Sequence, residues 1–477
     1  MTAPELDRPD LYIDGEWAAP ADGTAHEVIE AATGETLATA ALANADDIDR
    51  AVAAASRALN GPWASLTPAE RARLLTAFAA ELNARRKETA ALVSRENGMP
   101  LALSRLVNGS APAFIAQYYA GLAESLDEET RPSPTGGDTV VRREPVGVVA
   151  AVTPWDYPQS LAIMKIAPAL AAGCTVVLKP PPETALDAFV LADAAAAAGL
   201  PAGVLNVVPG GREAGARLVE HPDVDKVAFT GSTAAGRAIG EVAGRLLRPV
   251  TLELGGKSVS LVAEDADLEL FASKLLDVSL PNNGQTCHAA TRILAPASRY
   301  REVVDVVTET VAGLTVGDPL DRATQVGPLV SAVQRERVLS HIARGTDYAK
   351  LTAGGGAPDR PGWFVEPTVF ADVDNSSSIA QEEIFGPVLC VIPYRGEDEA
   401  IALANDSEYG LGGVVWSDDA EHGLALARRI RTGTVGVNHY ELHINAPFGG
   451  VKASGLGREL GPEGIAPYLV AKSIYRR

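Results

Sequence analysis

From about residue 146 the chain settles into short β-branched runs, each ending at Gly or Pro. VGVVAAVTP, CTVVLKP, GVLNVVPG, KVAFTG and VTLELGG follow one another, with helix-like stretches between several of them. Strand, loop and helix in that order make βαβ units, which bury both faces of a parallel sheet. A second series begins after about 255, with KSVSLVAED, RILAPAS, FVEPTVFADV, GPVLCVIPY, GGVVWS and GTVGVN. Two consecutive α/β series predict two lobes with a cleft between them. Ligands of open parallel sheets bind at the carboxyl ends of the strands.

The first 125 residues read differently. LYIDGEW is a small β element, and Ala-rich helices follow over 46–60 and from Thr67 onward. Thr67, Pro68 and Glu70 stand in the order of a cap, a first-turn proline and an early acid. The segment 126–144 fits neither lobe. It is charged, carries Pro and Gly, and turns β-like at TVV. It reads as a linker, a surface loop, or a hairpin arm that extends another subunit's sheet.

The 477 residues suffice for about three such units and a large core, without disulfide or metal staples. Lys and Arg number 41 against 61 Asp and Glu, a net charge of −20. That field opposes nucleic acid and anionic membrane, which want a basic face. Three cysteines, Cys174, Cys287 and Cys390, are too few and odd for a disulfide framework and fit a reducing compartment. The opening MTAPELDRPD carries acids and prolines instead of an apolar leader, and no apolar run reaches the ~20 residues of a membrane span. A cytoplasmic enzyme of several lobes is the expectation.

Cys287 sits in LPNNGQTCHAATR, where Asn-Asn-Gly supplies a turn and QTCHAA is read as opening a helix. A nucleophilic thiol needs such a tight, accessible setting, although a small buried hydrophobe is the ordinary fate of a cysteine. Cys174 starts an apolar run and Cys390 lies inside one, so both read as core. His288 adjoins Cys287, and neighbours in sequence do not face each other on a helix or strand, so it reads as a wall residue. His439 and His443 are four apart, but Glu441 is misplaced for a zinc-protease helix, so no metal site is expected. Glu253 ends a β-branched run and precedes two glycines, where a carboxylate can project into a cleft. In KVAFTGSTAAGRAIG, the turn with Gly231 and Ser232 leads into a helix start suited to a pyrophosphate. Lys179 ends another strand within reach of a ribose or phosphate.

TPWDYP, GCTVVLKP, FTGST, LELGGK, NNGQTC, QEEIFGPV and PFGGVKASGLGRELG occur in that order. Together they resemble the NAD(P)-dependent aldehyde dehydrogenase superfamily, from about residue 11 onward. The resemblance implies an NAD(P)-binding domain (1–125 and 146–252), a catalytic domain (253–455), and a small β oligomerisation arm (126–145 with 456–477). It implies a homodimer or homotetramer that takes NAD, or NADP on the same framework. Cys287 becomes the nucleophile, forming a thiohemiacetal and then a thioester. Glu253 becomes the base that activates water, and Glu459 helps relay the proton. Trp155, Lys179, Gly231, Ser232, Glu383 and Phe385 match cofactor-binding positions. Tyr157, Leu161, Met164, Thr286, His288, Leu442 and Phe448 match the substrate tunnel, and their bulk favours an apolar or aromatic aldehyde.

Two departures stand out. Asp156 replaces the family's Asn, which donates an N–H bond to the oxyanion. An ionised Asp only accepts, whereas a neutral one donates. Pro182 occupies the place where NAD-preferring relatives often carry a Glu, with Glu183 beside it. Competing readings are a catalytically impaired cofactor-binding protein, because of Asp156, and a cysteine esterase or acyl-transferase that uses Cys287 without redox chemistry.

Overall fold

The computed structural model describes residues 6–126, 128–134 and 136–477. Residues 1–5, where the reading of the N-terminus begins, and Asp127 and Thr135 of the expected arm lie outside the described residues. The chain forms an α/β architecture with two large sheets and a small β arm. The first sheet has eight strands, in the order Gly455–Leu456, Val250–Glu253, Lys226–Thr230, Val148–Val152, Thr175–Lys179, Leu205–Val207, Leu11–Ile13 and Glu16–Ala18. Its five central strands are parallel and the outer ones antiparallel. The β-branched runs from 148 to 253 build that parallel centre. Strand order reverses between Val148–Val152 and Lys226–Thr230, so a crevice opens at their carboxyl ends.

The second sheet has seven strands, with Arg292–Pro296 and Val259–Val262 at its centre. Alternate residues feed separate cores on its two faces. Val388, Cys390 and Ile392 enter one, and Leu389 and Val391 the other. Among the described residues no helix is long and apolar enough to cross a membrane.

The small sheet pairs Asp138–Pro145 with Leu469–Arg476 on one side and Glu129–Pro132 on the other. Of the expected 456–477 segment, only that last strand joins the arm. Leu456 pairs with Leu252 at the edge of the first sheet. Glu253, expected to open the catalytic unit, ends a strand of the first sheet, because its run pairs with Lys226–Thr230.

Near the N-terminus the helices Ala45–Leu59 and Pro68–Asn97 both start in full capping boxes. Thr67 accepts from the Glu70 N–H while Glu70 accepts from the Thr67 N–H at 2.8 Å. Both orphan donors are satisfied by one side-chain exchange. Thr67→Ala should therefore cost about 1 kcal/mol of stability, read as a lower denaturant midpoint at unchanged m-value. An unaltered midpoint would show the box to be energetically idle.

Candidate active site

The sequence around Cys287 begins with three left-handed residues. Asn282, Asn283 and Gly284 have φ of 50°, 62° and 76°. Asn tolerates that region, and Gly284 also needs it for contact, since a Cβ there would lie 2.1 Å from the Gly386 carbonyl oxygen. No helix opens at QTCHAA; Cys287 lies in a turn instead. A right-handed helix cannot grow from three left-handed residues, which the residue types alone did not reveal. Cys287 is half-buried, and a Cβ on Gly256 would fall 2.3 Å from its carbonyl oxygen. The backbone of LELGGK thus lies directly against the cysteine. Cys174 and Cys390 are buried and donate weakly to the Tyr468 and Thr291 carbonyls at 3.4 and 3.6 Å.

Carboxyl groups surround the thiol. Burial, then the charges of Asp156, Glu383 and Glu253, push the Cys287 thiol well above its ordinary value. The same desolvation raises Asp156 to about 7. Asp156 is 2% exposed and its Oδ1 has no hydrogen-bond partner. Glu253 is raised well above the carboxylate range by burial and by the Glu459 charge, and neither of its oxygens is partnered. Glu459 accepts from Lys165 Nζ at 2.7 Å, and Lys165 also donates to Thr230 Oγ1 at 2.6 Å. Lys165, fully buried, was missed in the sequence; a lone cation in the otherwise apolar PQSLAIMKIAPALAA was the signal.

The candidate cofactor residues gather at the carboxyl ends of the first sheet. Lys179 is buried, and its ammonium donates to the Gly210 and Pro180 carbonyls at 2.7 and 3.1 Å. Burial lowers it to about 8, while the charge of Glu183 pulls it back up. Pro182 opens the short turn Pro182–Thr184 that carries Glu183. Ser232 caps the helix Thr233–Arg245 by accepting from the Ala235 N–H, and Gly231 precedes it with its N–H on the Glu253 carbonyl at 3.0 Å. Glu383 accepts from the Gly256 N–H at 3.0 Å and is raised to about 7 by burial. Trp155 and Phe385 meet edge to face, with ring centroids 5.3 Å apart.

Most of the tunnel candidates belong to, or pack against, the core that Cys287 also packs against. Leu161 and Met164 lie three apart on the buried helix Pro158–Ala172. The Tyr157 hydroxyl meets Thr286 Oγ1 at 2.7 Å, and Thr286 donates to the Pro281 carbonyl. Phe448 is buried, while Tyr157, Leu442 and Cys287 pack half-buried against the same core. His288 stacks on Tyr440 at 5.0 Å and meets Phe448 edge-on at 6.0 Å. Burial lowers its pKa to about 4, so it is neutral at pH 7. Its Nδ1 nevertheless lies 3.9 Å from Cys287 Sγ, closer than neighbours on a helix or strand would come, because this backbone is a turn. Tyr440, half-buried between the exposed His439 and His443, carries no sequence signal of its own.

The chain matches the model of the aldehyde dehydrogenase family over residues 17–474. It is 55% identical to geranial dehydrogenase of Castellaniella defragrans over 98% of this chain and 99% of that protein. It is 42% identical to the chloroplastic betaine aldehyde dehydrogenase of Amaranthus hypochondriacus, covering 98% and 95%. Among solved structures, an aldehyde dehydrogenase of Mycobacterium tuberculosis complexed with NAD+ superposes with a TM-score of 0.96 at 47% identity, covering 99% and 98%.

A thiol held this high is sluggish at neutral pH. Iodoacetamide should label Cys287 slowly at pH 7 in cofactor-free protein, with a rate still climbing at pH 9. At pH 8, Asp156→Asn should speed labelling by removing the negative charge that bears most on the thiol. Labelling that levels off below pH 8 would contradict this account.

Proposed function

Because the chain belongs to the aldehyde dehydrogenase family, we propose that it oxidises an apolar or aromatic aldehyde to the carboxylic acid with NAD. One observation carries the chemistry. The LELGGK backbone lies against Cys287, and the Glu253 charge bears on its thiol. A nucleophile and a water-activating base therefore share one site at the strand ends.

The residues fit a dinucleotide. A helix start with N–H groups that lack intrahelical partners suits a pyrophosphate, with Gly231 and Ser232 at its mouth. Lys179 and Glu383 offer an ammonium and a carboxylate to the two riboses, and Trp155 with Phe385 offers an aromatic corner. Glu183, whose charge reaches Lys179, disfavours a 2′-phosphate, which supports NAD over NADP. When bound, the dinucleotide supplies the two-electron oxidant.

The chain's own residues do the rest. Cys287, once its thiol proton has left to solvent, attacks the aldehyde carbon through Sγ; the C=O π pair moves to oxygen, giving a thiohemiacetal whose oxyanion faces Asp156. Below about pH 7 Asp156 is neutral and donates a proton to a hydrogen bond; above it, the carboxylate only accepts and repels. Glu253, made a stronger base because burial and the Glu459 charge raise its pKa, takes a proton from the water that attacks the thioester, which releases the acid and the Cys287 sulfur. Lys165, paired with Glu459, holds the counter-charge behind it. His288, Tyr440 and Phe448 present π faces and edges to the substrate, and Leu161, Met164 and Leu442 line the remainder, which supports apolar or aromatic over charged aldehydes.

Within this reading residues 1–125 and 146–252 bind the cofactor and 253–455 complete catalysis. The arm assembles a cytoplasmic homodimer or homotetramer. Exposed Val470, Ile474 and Tyr475 on its edge strand support that assembly.

Cys287→Ala should abolish aldehyde-dependent NADH formation. Glu253→Gln should release one NADH per site in a burst and then stall, because hydrolysis lacks its base. The kcat of the natural protein should fall as pH rises through about 7. Asp156→Asn should remove that fall and raise kcat at pH 9 by about 10²-fold. A flat profile unchanged by that substitution would overturn the role of Asp156. Tighter binding of NADP than NAD in titrations would overturn the cofactor choice.

A further inference from the structure

We propose that Asn282 and Asn97 form an amide clamp that fixes the nucleophile's loop against the Asp156 turn, making both positioning residues for the reaction. The proposal rests on the reading of Cys287 and Asp156 given above. Asn282 Nδ2 donates to the Asp156 carbonyl at 3.0 Å and to the Gln285 carbonyl at 3.1 Å. One NH2 group thus ties residue 156 to the residue two before Cys287. Asn97 Nδ2 donates to the same Asp156 carbonyl at 3.0 Å and to the Trp155 carbonyl at 3.1 Å. Its Oδ1 accepts from the Met99 N–H at 2.9 Å. The Asp156 carbonyl therefore receives two amide donors, filling both of its lone pairs. Both Nδ2 groups face carbonyl oxygens only, which sets the orientation of each amide.

Asn97, Asn282, Gln285 and Asp156 are each at most 2% exposed, so water cannot replace the bonds. The next residue, Asn283, extends the seam. Its Nδ2 donates to the Gly98 and Pro328 carbonyls, and its Oδ1 accepts from the Gly327 N–H. Gln285 Oε1 accepts from the Val330 N–H at 3.0 Å. The loop is pinned on every side up to residue 285, and Cys287 takes its place from that anchorage. A misplacement of about 1 Å at a reacting group can cost ~10²-fold in rate.

The left-handed backbone at Asn282 makes a clean test available. Asn282→Gly removes the amide at a φ of 50°, which glycine adopts without strain. Asn282→Asp keeps the shape but sets a carboxyl group, with at most one proton to give, where an NH2 served two carbonyls. Steady-state and burst kinetics should show kcat reduced ~10–100-fold in both variants, with the NAD KM within about twofold of the natural protein. If the side chain only fills space, Asp restores the rate and Gly does not, which overturns the clamp. Asn97→Ala should lower kcat as well. Combined with Asn282→Gly it should lose more than the product of the single losses, since the Asp156 carbonyl is then left without a donor.

Should Asn282→Gly fail to fold, Asn97→Ala decides alone, and a kcat within twofold of the natural protein overturns the proposal. Absence of NADH formation from every aldehyde by the natural protein would refute the function. Iodoacetamide labelling of Cys287 at pH 9 would still test the clamp, with at least a ~5-fold rate change expected in Asn282→Gly. An unchanged labelling rate would refute it.

Discussion

A single buried ion pair, Lys165 with Glu459, holds the catalytic end of the molecule together. The helix Pro158–Ala172 is buried along its whole length, and Lys165 is its one charge. An uncompensated ammonium there would cost several kcal/mol. The cost is met by Glu459 at 2.7 Å and by Thr230 at the end of a first-sheet strand. Glu459 is held in turn by reciprocal backbone bonds with Phe448 at 2.7 and 2.8 Å. The pair thus binds the helix Pro158–Ala172, the first sheet and the segment after residue 448 into one unit. It also places the negative charge that raises Glu253.

Burial without full pairing sets the character of the site. Asp156, Glu253 and Glu383 all have raised pKa values, and burial is the first cause in each. Charged forms crowd a low-dielectric space poorly, so neutral and ionised carboxyls must coexist there. Two of them, Asp156 and Glu383, titrate near 7. Acid or base therefore alters the charge of the site over a range in which its packing has no reason to change. The overall charge of −20 deepens the same bias, leaving local groups such as Lys179 and the helix start at Ser232 to favour an anionic ligand.

Much of this was legible in the residues. Parallel strands announce themselves as β-branched runs ending in Gly or Pro, because that pattern reflects burial on both faces. The capping box at Thr67 was visible because it is built from neighbours in sequence. Properties that depend on distant partners were hidden. The identity of Asp156 was plain, but its neutral form near pH 7 comes from desolvation within a folded cleft. The turn at Cys287 was misread as a helix start, because Asn282 and Asn283 adopt left-handed backbone only when tied to residues 98, 156 and 327. Asn97 ends a helix before Gly98, and nothing near it in the chain hints at the carbonyls it holds.

The Lys165–Glu459 pair spans 294 positions of chain. A ribosome adding about 5–20 residues per second delivers the ammonium roughly 15–60 s before its counter-charge. Throughout that interval the first sheet lacks its Gly455–Leu456 edge strand, and Lys165 lacks the carboxylate it is bonded to in the finished fold. The nascent protein is thereby kept from sealing its catalytic end early. Order of synthesis alone thus makes completion of the active centre one of the last events in the birth of the molecule.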